Sequence, residues 1–214
     1  MNGSRKFYFV RHGLTDWNAE SRFQGRNDIP LNEEGIAQAK TAALRLEQSS
    51  AKTVLSSPLS RARQAAEIIA GDKRKLIVWD ELTEQCFGDW ERKIFADIRT
   101  QYREEYKAWR MGKADVPGGE TEAEIYARAK TVVEKLGEIE DEETIIVSHG
   151  SILRLILLAC LKSEYSSIFW RIRLDNCSIT TAEIRDGKLT LLNINDTLHF
   201  KIKSENEIRN LPLA

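Results

Sequence analysis

Apolar positions in the first part of the chain alternate between the spacing of strands and the spacing of helices. A short apolar run at Lys6–Val10 is followed by helical spacing over Ile36–Leu46 and by a second short run at Thr53–Leu55. Ser57 and Pro58 then favour a helix start, with the serine as capping residue and the proline at the first helical position. The pattern predicts strand, helix, strand and helix in succession.

The middle of the chain predicts one more strand and one well-marked helix. A strand is expected at Leu76–Trp79, and Asp89–Trp109 shows mixed helical content. Pro117-Gly118-Gly119 then forces a turn. Thr121 and Glu124 form a capping box, which indicates that a helix begins there.

The last part of the chain returns to strands. We expect a strand at Thr144–Val147, an apolar helix at Ile152–Leu161, and strands at Ser178–Ile184 and Lys188–Ile194 that flank the turn dipeptide Asp186-Gly187. Repeated alternation of strands and helices is typical of an α/β fold. The sequence therefore predicts a three-layer α/β/α sandwich with a mostly parallel central sheet and a late antiparallel hairpin.

Length and composition narrow the class of protein. The chain has 214 residues, 42% of them hydrophobic and 30% charged, and no linker divides it. We expect a single globular domain over residues 1–214, and the composition argues against wholesale disorder. A formal net charge of -1 gives no general attraction to nucleic acid. No nucleic-acid partner is therefore expected.

Two further patterns bear on the cellular location. The opening run at Lys6–Val10 is too short for the core of a signal peptide, and Arg154 interrupts the most apolar stretch of the chain. Cys86, Cys160 and Cys177 are widely spaced and odd in number, so neither a disulfide framework nor a zinc site is indicated. We expect a cytoplasmic protein without membrane contact or metal, whose oligomeric state the sequence leaves open.

Two of the three histidines share one setting. His12 and His149 each come just after a predicted strand, and each is followed by glycine. Ligands of open α/β sheets bind beyond the carboxyl ends of the strands, so we expect both imidazoles at that edge. His199 lacks this setting, and a structural role is expected for it.

Two arginines lie beside features that the sequence predicts, a histidine at the end of a strand and the start of a helix. Arg11 precedes His12, and Arg61 lies near the start of the helix that Ser57 and Pro58 favour. A guanidinium group suits phosphate because its planar fork stays charged and donates parallel hydrogen bonds. Most other arginines, including Arg63 and Arg74, are expected to be solvated surface charges.

Four ordered motifs resemble those of a known family, the histidine phosphatase superfamily in its phosphoglycerate mutase-like branch. They are Arg11–Asn18 with Gln24-Gly25 and Asp28–Leu31, then Leu55–Ala62, then Glu84–Glu91, and then Val147–Gly150. Pro117–Thr121 is also similar to a loop common in that branch. The resemblance spans most of the chain, and it is closest to the compact phosphatases.

This resemblance implies roles for particular residues. His12 is the expected nucleophile and forms a phosphohistidine, while Arg11, Arg61 and His149 surround the transferred phosphoryl group. Glu84 is the expected proton donor, selected over Glu81 and Glu91 only by its place in the motif. The expected substrate-binding residues are Asn18, Gln24, Gly25, Phe87 and Gly150.

Candidate residues at the rim of the pocket, and two positions that depart from the family pattern, bear on which substrate is preferred. Rim candidates are Phe87, Arg92 and the segment Phe95–Trp109. Arg92 stands where a glycine is frequent, and Leu14 stands where an acidic residue is common. Both departures bear on substrate preference.

Three functions compete at this point. The first is a metal-independent phosphatase of small phosphorylated metabolites with no cofactor, and it is favoured because the chain lacks the extra sequence that mutases carry between Glu84 and His149. The second is a mutase of the phosphoglycerate type. The third is a silent domain that binds phosphorylated ligands, which disagrees with the complete set of motif residues. Sugar phosphates, phosphoglycerates, phosphoserine and α-ribazole phosphate all remain open as substrates.

Overall fold

A mixed six-stranded sheet forms the centre of the computed structural model, which describes residues 4–163, 168–185, 188–202 and 204–213. Its strands are β1 (Arg5–Arg11), β2 (Thr53–Ser56), β3 (Lys75–Val78), β4 (Glu143–Ser148), β5 (Ile179–Arg185) and β6 (Lys188–Asp196). They lie in the order β3-β2-β4-β1-β5-β6. The pairings among β1 to β4 are parallel, whereas β5 pairs antiparallel with both β1 and β6. The predicted fold class is thereby confirmed.

Helices cover both faces of this sheet. They are α1 (Asp16–Ala19), α2 (Glu33–Leu46), α3 (Ser60–Ala70), α4 (Phe95–Gln101), α5 (Arg103–Arg110), α6 (Glu122–Gly137), α7 (Gly150–Cys160) and α8 (Glu205–Arg209). The capping box of Thr121 and Glu124 opens α6 as predicted. None of the described helices combines the length and the apolar character needed to cross a membrane.

Alternation along β1 shows how the three layers are held together. Phe7 and Phe9 pack on one face, against the apolar sides of α6 and α7. Tyr8 and Val10 pack on the other face, against α2 and α3. All four side chains are buried, and burial of such a side chain contributes about 1.5–3 kcal/mol. A strand buried on both faces is continuously apolar, which is why this run stands out in the sequence.

The start of α3 differs from the sequence-based expectation. Ser57 and Pro58 precede the helix, which begins at Ser60, because the Ser57 backbone continues the sheet edge and donates to Val147 O at 3.1 Å. Asp28 takes over the capping role, since its carboxylate accepts from the amide and the hydroxyl of Ser60. The Ser57 side chain is thereby left for another partner.

The expectation for Arg74 was wrong. Its guanidinium is half-buried and donates to the backbone carbonyls of Leu46, Ala51 and Ile69 at 2.7–3.1 Å. Burial lowers the pKa of this group. The last carbonyl groups of α2 and α3 have no partner within their helices, and Arg74 donates hydrogen bonds to them. A sequence pattern does not reveal this structural role. Arg63, by contrast, is exposed and pairs with Glu67, as expected of a surface charge.

The late strands agree with the predicted hairpin. Arg185 of β5 pairs with Lys188 of β6. The turn residues Asp186 and Gly187 lie outside the described residues.

Candidate active site

Two adjacent parallel strands bring His12 and His149 together. Arg11 at the end of β1 pairs with Ser148 at the end of β4. His12 and His149 are the residues that directly follow these two strands. The His12 amide donates to Ser148 O at 2.9 Å, and the two ring centroids lie 5.1 Å apart. Both rings are buried. The meeting of these two side chains at the carboxyl edge of the sheet agrees with the sequence analysis.

One hydrogen bond defines which ring nitrogen of His12 carries the proton. Its Nδ1 lies 2.7 Å from the carbonyl oxygen of Gly13. Because a carbonyl only accepts, Nδ1 bears the proton, and Nε2 keeps its lone pair. Burial first, and then the charges of Arg61 and Arg11, hold the pKa of His12 well below its usual value. The ring is therefore neutral at physiological pH, with an unprotonated Nε2.

The backbone around His12 is fixed from a third strand as well. The Asn176 side-chain amide, just before β5, donates to His12 O at 3.0 Å and to Gly13 O at 3.2 Å. The Cys177 amide donates to Arg11 O at 2.8 Å. A Cβ on Gly13 would lie 2.4 Å from Gly35 O, so only glycine fits there. The sequence analysis did not identify Asn176.

His149 is held as a neutral ring by two partners. Its Nδ1 accepts from Arg61 Nε at 3.2 Å, which places the ring proton on Nε2, and Nε2 then donates to Ser57 Oγ at 2.7 Å. Burial and the nearby charge of Arg61 lower the pKa of His149 well below its usual value. Ser57 was expected to cap a helix, and its hydroxyl instead orients this imidazole.

Arg61 and Arg11 supply positive charge beside the two rings. Arg61 is the second residue of α3, and it also donates to Gly25 O and Asn27 O, both at 2.8 Å. Burial lowers its pKa to about 10, so it remains a cation at neutral pH. Arg11 donates to Leu174 O at 2.7 Å, while its buried Nε has no hydrogen-bond partner among the described residues. An unpaired buried donor of this kind is well placed to bind an anion.

Glu84 sits at the amino end of α7. Its carboxylate accepts from the amides of Ser151 and Ile152, each at 3.2 Å, and from its own neighbour Gln85 at 2.9 Å. Only 8% of Glu84 is exposed. Glu84 lines the same pocket as His12.

A second carboxylate and an arginine fix the segment that bears Glu84. Arg128 of α6 donates to the carbonyl oxygens of Glu81 and Thr83 at 2.8 and 2.5 Å. Glu120 holds the same guanidinium, with Nη2 to Oε2 at 2.7 Å. Neither residue belonged to the expected site. Their contacts join segments that are far apart in the sequence. Of the two residues, only Glu120 lies in a motif that the sequence analysis identified, Pro117–Thr121.

Glu91 closes the loop that carries Gly25. Its carboxylate accepts from the amides of Phe87 and Arg26 at 2.9 and 3.1 Å. Gly25 has φ +52°, and a Cβ there would lie 1.9 Å from Glu91 Oε1, so a side chain is excluded. Arg92 has φ +70°, a left-handed backbone conformation that favours glycine. Glu91 is thus a structural carboxylate, distinct from Glu84.

A pocket of about 370 Å³ opens over these groups. Nine of the ten expected site residues line it: Arg11, His12, Asn18, Gln24, Gly25, Arg61, Glu84, Phe87 and Gly150. His149 lies outside the described lining, buried beside His12. Arg92 and Leu14 also lie outside it; Arg92 donates through Nε to Asn27 Oδ1, and the Leu14 amide donates to Gln38.

Part of the pocket was missed by sequence reasoning. Within the segment predicted as rim, Phe95 and Trp109 face the pocket. The additional lining residues are Ser21, Arg22, Phe23, Ser151, Arg154 and Trp170. His199 does not face it; the ring is buried and bonds through Nε2 to Cys177 O at 3.1 Å. In the described part of the chain, no group of three or more His, Cys, Asp or Glu side chains is arranged to hold a metal ion.

Comparisons with known proteins agree with this architecture. The model of the histidine phosphatase superfamily (branch 1) matches residues 7–197. Phosphoserine phosphatase 1 of Hydrogenobacter thermophilus is 30% identical over 91% of this chain and 93% of its own length. A probable phosphoglycerate mutase, GpmB of Proteus mirabilis, is 35% identical over 84% of this chain and 85% of its own.

Solved structures show the same fold. A mycobacterial glucosyl-3-phosphoglycerate phosphatase in complex with VO3 superimposes with a TM-score of 0.83 at 28% identity. The match covers 90% of this chain and 100% of that one. The likeness therefore extends over most of the chain.

Proposed function

Since this chain belongs to the histidine phosphatase superfamily, we propose that it hydrolyses phosphomonoesters of small metabolites through a phosphohistidine on His12. The observation that carries the proposal is the hydrogen bond from His12 Nδ1 to Gly13 O, which leaves Nε2 unprotonated in a pocket with two arginines. Relatives named as phosphatases support the reaction class.

The first step is transfer of the phosphoryl group to the protein. The Nε2 lone pair attacks phosphorus, a P–N bond forms, and the P–O bond to the alcohol breaks. Arg11 and Arg61 neutralise the charge on the phosphoryl oxygens, and the neutral ring of His149 helps to hold Arg61 in place. Glu84 in its protonated form gives its proton to the departing oxygen, so that an alcohol leaves.

The second step releases phosphate. The Glu84 carboxylate takes a proton from a water molecule as the water oxygen attacks phosphorus. The P–N bond breaks, its electron pair returns to Nε2, and inorganic phosphate leaves with Glu84 again protonated. Asn18, Gln24, Gly25, Phe87 and Gly150 line the same pocket, and we assign them to binding of the substrate.

The site provides its positive charge from side chains, and we therefore propose that the reaction needs no divalent metal. Activity of the purified protein is expected to persist in an excess of a chelator. Loss of activity on chelation, with recovery on addition of a divalent ion, contradicts this part of the proposal.

The three thiols are free, which fits a reducing compartment, and we propose the cytoplasm.

A covalent intermediate is the direct test. Protein mixed with a phosphomonoester, quenched at alkaline pH and digested, is expected to yield one peptide that carries phosphate on His12. His12→Ala abolishes both the modified peptide and the release of phosphate, with its fold verified by circular dichroism. Turnover by His12→Ala at the wild-type rate overturns the mechanism.

The mutase reaction is the second candidate, supported by the similarity to the GpmB protein. It shares the first step and differs in the acceptor, which is a hydroxyl of the substrate in place of water. Measurement of inorganic phosphate against isomerised phosphoglycerate separates the two activities. A ligand-binding domain without turnover gives neither product.

A further inference from the structure

Five aromatic side chains form one side of the pocket, and we refer to them as the aromatic wall. They are Phe23, Phe87, Phe95, Trp109 and Trp170. They come from three separate parts of the chain, before α2, over residues 87–109, and from the turn after α7. In the proposed reaction His12, Arg11, Arg61 and Glu84 hold the phosphoryl group, which leaves the wall to contact the alcohol part of the phosphomonoester.

Ring contacts hold the wall in one arrangement. Phe23 stacks on Phe95 with centroids 5.2 Å apart and an interplanar angle of 9°, and it meets Phe87 edge to face at 5.0 Å. Trp109 meets Trp170 edge to face at 4.5 Å. Offset and edge-to-face contacts of this kind add about 0.5–1.5 kcal/mol each to area burial. The apolar surface is therefore preformed in the free protein.

The polar groups beside the wall are mostly donors that already have partners. Arg22 donates through Nε to Glu20 at 2.8 Å, and Arg154 donates through Nε to Ile172 O at 2.7 Å. Among the described lining residues, the side chains with carboxylate or amide oxygens are Asn18, Gln24 and Glu84. The hydroxyls of Ser21 and Ser151 are the other acceptors that described lining side chains offer, and the buried Gln24 Oε1 has no hydrogen-bond partner among the described residues.

This chemistry discriminates between kinds of alcohol. Each hydroxyl of a polyol gives up hydrogen bonds to water when it is buried, and it must regain them from the protein. An apolar ring loses none and gains contact with the wall. We propose that the preferred substrates are phosphomonoesters of alcohols that bear an aromatic or other apolar ring, in preference to phosphorylated polyols and phosphoserine. This inference rests on the proposed phosphatase activity.

The test compares esters whose leaving oxygens are alike. 3-Phenylpropyl phosphate and propyl phosphate are both esters of unactivated primary alcohols, so their difference measures the ring and not the ease of departure. Glycerol 1-phosphate and O-phosphoserine represent the polar classes. We expect kcat/KM for 3-phenylpropyl phosphate to exceed that of the other three by about ten- to a hundredfold.

Matched variants assign the preference to the wall. Phe95→Leu and Trp170→Leu each remove a half-buried ring that lines the pocket. Tyr106→Leu is the control, because Tyr106 touches Phe95 and Trp109 in the same aromatic cluster but is not among the described lining residues. The ratio of kcat/KM between the phenylpropyl and propyl esters is expected to fall by about tenfold in the first two variants and to stay near wild type in the third.

A binding measurement keeps this inference separate from the catalytic proposal. 3-Phenylpropylphosphonate and propylphosphonate cannot be hydrolysed, and calorimetry of the wild-type protein gives their Kd values directly. Tighter binding of the phenyl compound supports the assignment of the wall, whether or not any ester is hydrolysed. Absence of hydrolysis for all four esters overturns the phosphatase proposal alone. Hydrolysis of all four esters with equal kcat/KM, or equal Kd values for the two phosphonates, overturns the assignment of the wall.

Discussion

Arg61 Nε lies 3.2 Å from His149 Nδ1, so this histidine accepts a hydrogen bond from a side chain that is cationic at neutral pH. The contact fixes both the tautomer and the charge of His149. It also orients the guanidinium, whose other nitrogens bond to Gly25 O and Asn27 O. Arg61 is thereby rigid before any anion arrives, which is the condition for strong electrostatic stabilisation of a transition state.

The first prediction follows from that rigidity. Arg61→Met is expected to lower kcat with p-nitrophenyl phosphate by about 10²–10³, the usual effect of removing one preorganised donor. Arg63→Met is the matched control, since Arg63 lies on the same helix, is exposed and pairs with Glu67. Steady-state kinetics of both variants checks the prediction. Similar rates for the two variants contradict it.

The second prediction concerns the proton that Glu84 supplies. Glu84→Gln keeps an acceptor for the amides at the start of α7 but has no proton to transfer. Single-turnover transfer from an alkyl phosphate is expected to slow by about 10²–10⁴ more than transfer from p-nitrophenyl phosphate, whose leaving group departs without protonation. Glu81→Gln, which removes a carboxylate paired with Lys135, is the control. Equal losses for both esters assign Glu84 to positioning alone.

The third prediction concerns Arg128, which acts through the segment that bears Glu84. Arg128→Met removes the donors to Glu81 O and Thr83 O and is expected to reproduce the preference for good leaving groups, with a loss of about tenfold on alkyl phosphates. Lys130→Met, an exposed change on the same helix, is expected to behave as wild type. A purely structural role for Arg128 slows both classes of ester alike, and a comparison of their kcat values separates the two cases.

The fourth prediction concerns stability against pH. Burial lowers the pKa of His199 to about 4, below its ordinary value of 6.5. Below pH 6.5 the unfolded chain binds a proton that the folded chain does not, so the free energy of unfolding falls as pH decreases toward 4. His199 alone accounts for about 2 kcal/mol of the loss between pH 7 and pH 5.

Urea unfolding at these two pH values measures the effect. His199→Gln is expected to lose less stability between pH 7 and pH 5 than the wild type, even where its stability at pH 7 is lower. His12 and His149 shift in the same direction and account for part of the remaining loss. An unchanged difference between the two pH values in His199→Gln contradicts the assignment.

The sequence predicted that His12, His149 and Arg61 lie at one edge of the sheet, because the two histidines follow strands and Arg61 lies near the start of a helix. His12 and His149 follow β1 and β4, and the parallel pairing of those strands determines their meeting. The late antiparallel strands were also predicted, from the turn dipeptide Asp186-Gly187 between them. Such features depend on local pattern and on general rules of sheets.

Other features depend on contacts between segments far apart in the chain, and no local pattern marks them. The sequence predicted Ser57 as a helix cap. In the structure its amide bonds to Val147 O at the edge of the sheet, and its hydroxyl accepts from His149. Arg128 looks like any arginine on an amphipathic helix. Trp170 lies far from Trp109 in the sequence, and the two rings pack on each other at the pocket.

The separate origin of the aromatic wall affects how this protein can change over evolutionary time. His12 is anchored by Ser148 and Asn176, at the centre of the sheet, whereas Phe95 is the first residue of α4 and Trp170 lies after α7, both outside the sheet. On the proposed function, replacement of a wall residue alters the alcohol that fits and leaves the backbone bonds of His12 in place. A lineage can therefore explore new substrates through single mutations while the reaction itself is inherited intact.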